Sequence, residues 1–227
     1  MLHPRARSLV MTTLIAAGAV AATAVLANLS IFLFFELKGL DLLFTLRGAR
    51  TAPPEVVVIA IDEPSFAEIG LQWPWPRGLH ARLLDNLHQA GARAVGFDIL
   101  FAEPSDPAED RRFAASLAQA GNVVLAGELS LIDDPLYRHA RRVDPLPLLA
   151  AAATATGIPL LTIDADGAVR RAPLAVDGTP SFAARLAAVY RGREADTPAP
   201  PAWPDWTRGE RLIDFLGPPR TVQTVSY

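Results

Sequence analysis

VVVIAIDEPSFAEIGLQWPWPRGLHARLLDNLHQAGARAVGFDILF, residues 56 to 101, is the stretch on which the fold turns. Val56 to Ile61 is a continuous apolar run rich in β-branched residues, the pattern of a strand buried on both faces of a largely parallel sheet. Leu83, Leu84 and Leu87 share one side of a helix predicted over 79–90 and closed by Gly91, and residues 92–101 supply a second buried strand. Strand, helix and strand at this spacing make a βαβ unit, with parallel neighbouring strands and a right-handed crossover.

Downstream, Asp106-Pro107-Ala108-Glu109 announces a second helix: Asp as N-cap, Pro at the first helical position, Glu placed to close a capping box. It ends at Gly121-Asn122, and residues 122–127 read as a third short strand. An irregular Pro-rich stretch is expected over 133–147 and a small-residue segment over 148–156. Residues 158–163 and 168–174 flank Asp166-Gly167, the dipeptide that favours a two-residue type I′ turn, and so predict an antiparallel pair. A helix over 181–190, an extended loop over 198–204, a strand over 211–216 and the start of another in TVQTVSY complete the reading. The fold class is α/β, a mixed and partly parallel sheet with flanking helices, and the chain reads as C-terminally incomplete.

Upstream, Leu9 to Phe35 is a run of 27 residues without a charge. As a helix it would extend about 40 Å at ~1.5 Å per residue, more than the ~30 Å hydrocarbon core of a membrane. The rival reading is a cleaved signal peptide, with Arg5 and Arg7 as its basic start and Ala22-Thr23-Ala24 as its cleavage site. An apolar stretch that continues past that site to Phe35 favours an uncleaved anchor, since signal cores run only ~7 to 15 residues. Lys38, Arg47 and Arg50 follow the span, so charge alone does not orient it. The short leader favours an N-terminus inside. The expected organisation is a leader over 1–8, a transmembrane helix over 9–35, a juxtamembrane stalk over 36–50 carrying Leu37, Leu40 and Phe44 as an apolar stripe, and a domain over 51–227 that begins at Thr51-Ala52-Pro53-Pro54.

Composition narrows the classes of function. A net charge of −3 supplies no footprint for nucleic acid. The chain has no cysteine, which excludes disulfides and thiolate metal sites. It contains no G-x-S-x-G elbow, P-loop, dinucleotide fingerprint or H-E-x-x-H motif, and no catalytic residue or cofactor is expected.

Residues 56–87, GARAVGFDILFAEP (91–104), GNVVLAG (121–127), DADGAVRRAPL (164–174) and the terminal LIDFLGPPRTVQTVSY together resemble the type-two CHASE domain. That module is an extracellular sensor found on bacterial cyclases, histidine kinases and other signalling proteins. The Trp-Pro-Trp-Pro-Arg run after a strand ending in Ile-Asp-Glu is the most specific part of the likeness. The resemblance implies an N-terminal membrane helix, an outside-facing sensor, and further membrane helices leading to a cytoplasmic output domain. Residence in the cell inner membrane, with the sensor periplasmic or extracellular, follows. The expected partners are the lipid bilayer, an unidentified stimulus and a second copy in a homodimer.

Asp62 and Asp98 interrupt or end runs that should be buried. If the two strands are neighbours, both carboxylates reach one carboxyl edge of the sheet, where ligands of open α/β sheets bind. Glu63, Arg77 and Glu103 fall near that edge, and Trp73 and Trp75 could stack on a ligand there. These seven residues are the candidate binding set. The competing reading is a structural clamp, in which Arg77 neutralises a desolvated carboxylate, Asp62 or Glu63 caps a short helix at Pro64, and the tryptophans form a rigid lid. A hard-cation site drawn from Asp62, Glu63, Asp98, Glu103, Asp106 or Asp110, serving a membrane-tethered hydrolase, is the third reading. Asp164-Ala165-Asp166-Gly167 resembles a calcium loop but places Pro173 where the bidentate Glu belongs, so a hairpin is favoured. His80 and His88 are expected on a solvated helix face.

Overall fold

The computed structural model describes residues 4–27, 30–134, 137–176, 178–197 and 210–227. The chain forms two compact units, one of Met1–Ser65 with Phe215–Tyr227 and one of Phe66–Asp214. The expected loop at 198–204 lies outside the described residues.

In the first unit, α1 (Pro4–Ala27) and α2 (Ser30–Arg47) divide the apolar run between them. Among the described residues no helix is long and apolar enough to cross a membrane. Leu37, Leu40 and Phe44 are the half-buried side of α2, as their spacing requires. Phe44 meets Phe215 edge-on at 5.9 Å, and Arg47 lies over the Phe44 ring while donating to the Phe215 carbonyl. The helix stops at Gly48, whose φ of +75° is the left-handed conformation glycine takes beyond a helix end. Strand β1 (Val57–Ala60) pairs in parallel with the last strand of the chain, β12 (Gln223–Ser226), from Val57 opposite Gln223 to Ala60 opposite Ser226. The two strands of the opening motif are therefore not the partners expected: β1 takes β12, and the second strand pairs elsewhere.

The boundary between the units falls inside α3 (Glu63–Ile69). The second unit continues with α4 (Arg77–Gln89), β2 (Val95–Leu100), α5 (Pro107–Ala120) and β3 (Val123–Ala126). A hairpin of β4 (Glu128–Asp134) and β5 (Tyr137–Val143) follows, then α6 (Pro147–Ala152) and β6 (Ala155–Gly157). Next come β7 (Thr162–Ile163), β8 (Val169–Pro173), β9 (Ala175–Val176), β10 (Thr179–Pro180), α7 (Phe182–Tyr190) and β11 (Glu210–Leu212). The class is mixed α/β, but instead of one mixed sheet there are small ones. β2, β3 and β6 are parallel; β7, β8 and β11 are antiparallel, as are β4 with β5 and β9 with β10. The β4–β5 hairpin replaces the irregular stretch expected over 133–147. The prolines and charges there obscure the pairing of Glu128 with Val143 through Asp134 with Tyr137.

Strand β2 explains the layering. Val95 and Phe97 point to a core completed by Leu84 of α4 and by Phe113 and Leu117 of α5. Gly96, on the opposite face, lies against α7: a Cβ there would come within 2.9 Å of the Phe182 ring and 3.0 Å of Leu186. The same helix crowds Gly157 of β6, where a Cβ would fall 2.6 Å from the Phe182 Cα. Helix α5 has the predicted start, Asp106 accepting from the Ala108 and Glu109 N–H groups with Pro107 at the first position, and ends at Gly121 with φ +65°. Ser181 caps α7 through the Ala184 N–H. The antiparallel pair around Gly167 forms, but its turn is not the two-residue type. Arg220 is the only described non-glycine with positive φ, so Asp166 lacks the conformation a type I′ turn needs. The chain closes with Gly167 donating to the Asp164 carbonyl at 2.9 Å and Asp164 to the Ala168 carbonyl at 2.8 Å, a three-residue loop with glycine at its left-handed position.

Candidate functional site

Helix α4 has no side-chain cap of its own, because Pro76 occupies the capping position. Its first turn is completed from α5: the Glu109 carboxylate accepts the Gly78 N–H. A carboxylate at a helix N-terminus meets both an unpaired donor and the positive end of the helix dipole. A Cβ at position 78 would sit 3.1 Å from the Glu109 Cδ, so a larger residue there would push this carboxylate aside. Glu109 thus caps a neighbouring helix instead of closing the box on its own.

One residue before Gly78, Arg77 is buried with its Nε 3.6 Å from Asp110 Oδ1, while its Nη2 donates to the Glu103 carbonyl at 3.2 Å. Its guanidinium also lies over the Phe101 ring, 4.6 Å from the centroid. Asp110 accepts in turn from the Ser105 N–H at 2.9 Å. Burial lowers the proton affinity of Arg77, and the Asp110 charge works against that loss.

His80 follows one turn after Arg77 and is fully enclosed. Its ring lies 5.2 Å from Phe101, 6.0 Å from Phe113, and 6.2 Å from both Phe97 and Trp73. Burial first, and the Arg77 charge second, push its pKa down to about 4. The expectation of a solvated histidine at position 80 is overturned. His80 stands at i, i+4 and i+7 with Leu84 and Leu87, a signal in the periodicity that puts it on the core side of α4. His88 is exposed.

Of the candidate binding set, Trp73, Trp75, Arg77, Asp98 and Glu103 lie in the second unit, with Trp73 against Trp75 and Arg77 on the Glu103 carbonyl. Trp75 is buried, donating its indole N–H to the Leu71 carbonyl at 3.1 Å and packing on Phe66 at 5.2 Å. Trp73 leans on it at 5.5 Å and remains 40% exposed. Glu103 contributes its backbone carbonyl. Asp98 is exposed on β2, on the opposite alternation from Phe97. The expectation that it joins Asp62 at one edge rested on a β1–β2 pairing that is not made.

Asp62 and Glu63 belong to the first unit. There Asp62 caps α3, accepting the Ser65 N–H at 3.2 Å and the Ser65 hydroxyl at 2.7 Å, and its other oxygen accepts from Ser226 at 3.1 Å. The Ser65 hydrogen bond, more than any other influence, holds its carboxyl below the usual range. Among the described residues no three His, Asp or Glu side chains meet as a metal's ligands, so the third reading, a hard-cation site, finds no assembled ligand set there. Asp164 and Asp166 serve arginines. Arg170, itself buried, bonds Asp164 at 2.9 Å and Asp166 at 2.8 and 2.7 Å. Arg171 bonds Asp164 and, at 3.2 Å, Glu210 of β11.

These contacts give the second unit an aromatic and ionic clamp of α4 on α5 and β2. The family model of the CHASE2 domain matches residues 15–227, and the chain belongs to that family. CHASE2 domains are extracellular, non-catalytic sensory domains of signal-transduction receptors. No curated protein and no solved structure matches the chain.

Proposed function

We propose that this chain is the extracytoplasmic sensory input region of a membrane-bound bacterial signal-transduction receptor, anchored in the inner membrane through the Leu9–Phe35 segment with its N-terminus inside. The observation that carries the reading is the family match over residues 15–227, which takes in nearly all of the chain. The uncharged run behind Arg5 and Arg7 supports the anchor. Residues from Thr51 onward face the periplasm or exterior, and the receptor acts as a homodimer whose output is a cyclase, a histidine kinase or a similar signalling domain. Within the candidate binding set Arg77 clamps the fold, and the half-open Trp73 ring is the group a stimulus meets.

An alkaline phosphatase reporter fused after Tyr227 tests the topology. Activity outside the cytoplasm, from protein that fractionates with the membrane, is expected. Reporter activity confined to the cytoplasm at that junction would reverse the orientation, and release of active reporter into the soluble periplasmic fraction would replace the anchor by a cleaved signal peptide.

A further inference from the structure

His80 is the one fully enclosed histidine among the described residues, and its burial and the nearby Arg77 charge disfavour its protonated form. Four aromatic rings from four places wall it in: Trp73 from the loop before α4, Phe97 from β2, Phe101 just after β2 and Phe113 from α5. Arg77 stands one turn earlier on the same helix and shares the Phe101 ring with His80. From α5, Asp110 faces that guanidinium and Glu109 is engaged by the Gly78 N–H. β2 contributes Val95, Phe97 and the partly buried Ile99 to this core, its Asp98 being exposed. A proton on His80 would therefore put a second cation beside Arg77, away from water, with Asp110 already serving the first.

We propose that the aromatic cage around His80 is a proton-driven latch: acidification of the compartment outside the cell favours a state in which α4 releases His80 to solvent, and that release is a stimulus this sensory domain reports. The inference rests on the extracytoplasmic placement proposed above only for its biological setting; the latch itself is a property of the second unit. The thermodynamics follow from linkage. An exposed imidazole takes a proton near its ordinary value of ~6.5, and the caged one resists it to about 4. The closed state is at full advantage above the higher value. It loses that advantage as pH falls through the window, and the closed-to-open ratio drops by up to ~10-fold per pH unit for one proton. The arrangement also places a reporter at the latch, because Trp73 packs on both His80 and Trp75.

The test uses the purified full chain in detergent, with Trp203 and Trp206 replaced by Phe so that emission comes from Trp73 and Trp75. Fluorescence and thermal melting are followed from pH 7.5 to 4.5 for this protein and for His80→Phe. The histidine-containing protein is expected to lose Tm steadily below pH 6.5 with a change in tryptophan emission, whereas the Phe variant holds both nearly constant down to pH 5. Parallel curves for the two proteins overturn the latch. Should His80→Phe not fold, NMR of the parent decides: the His80 ring proton is expected to stay in its neutral position down to about pH 5, and titration near 6.5 in the folded protein overturns the proposal. Failure of the reporter topology with an intact pH difference would fault the placement and leave the latch standing.

Discussion

Arg77 of α4 and Asp110 of α5 face each other at 3.6 Å with side chains only 9% and 5% exposed, and Asp110, not Asp98, is the carboxylate that Arg77 answers in the second unit. Removing one partner of a buried pair leaves the other uncompensated and costs ~3 to 5 kcal/mol. Arg77→Ala and Asp110→Asn are each expected to destabilise by about that amount, and the double change by less than the sum. Asp98→Asn is expected to stay within ~0.5 kcal/mol, as an exposed substitution. Urea unfolding of the four proteins checks this; a large loss at Asp98 with none at Asp110 would reverse the assignment.

Glu109→Ala should loosen the first turn of α4, because the Gly78 N–H it satisfies has no other cap. The expected cost is ~1 kcal/mol, the usual worth of a capping carboxylate or hydroxyl. Hydrogen exchange at the Gly78 amide is the direct readout. Unchanged protection there would show that the contact contributes nothing.

Gly157→Ala is expected to destabilise by ~1 to 3 kcal/mol, the range for overpacking. The obstacle is backbone, Phe182 Cα at 2.6 Å and N at 2.8 Å, which cannot turn aside as a side chain can. Gly96→Ala meets only the Phe182 and Leu186 side chains and should cost less. A melting series of the two variants that shows the reverse order would place α7 wrongly against the sheet.

The Asp164–Arg170 pair predicts an acid limit of a different kind from that of His80. Burial opposes ionisation of Asp164, but hydrogen bonds from Arg171 and Arg170 outweigh it and hold the carboxyl below its ordinary value. A depressed carboxyl adds stability that is complete above the unfolded value of ~3.9 and is lost as pH falls through the lower folded value. Arg170→Met should therefore reduce stability by a constant amount between pH 7 and 5, leaving the slope there unchanged, and flatten the loss below pH 4. Stability profiles of parent and variant across pH 2 to 7 provide the comparison.

The pieces of this fold were legible along the chain, and their partners were not. Asp106-Pro107 marked the start of α5 and Leu83, Leu84 and Leu87 marked α4, since capping and 3.6-residue periodicity act over a single turn. Asp166-Gly167 marked a reversal, although its loop has three residues. Of the candidate set, Arg77 meets the Glu103 backbone carbonyl and Trp73 leans on Trp75. Asp98 was misplaced because its supposed burial came from the strand's composition, and its neighbour Phe97 takes the core side instead.

By itself the sequence determined the uncharged run of Leu9–Phe35, the helices α4, α5 and α7, the absence of thiol chemistry and the family likeness carried by residues 56–87, 91–104, 121–127, 164–174 and 212–227. All of these depend on residues close together along the chain, where periodicity, capping and composition operate. Only the tertiary structure decided that β1 pairs with β12 across more than half the chain, that Arg77 answers to Asp110, and that His80 is walled in by four rings. A strand's apolar pattern states that it will be paired and a charge's position that it will need an opposite, but neither carries an address. The partner is selected by which distant segments pack together without leaving a buried group unanswered.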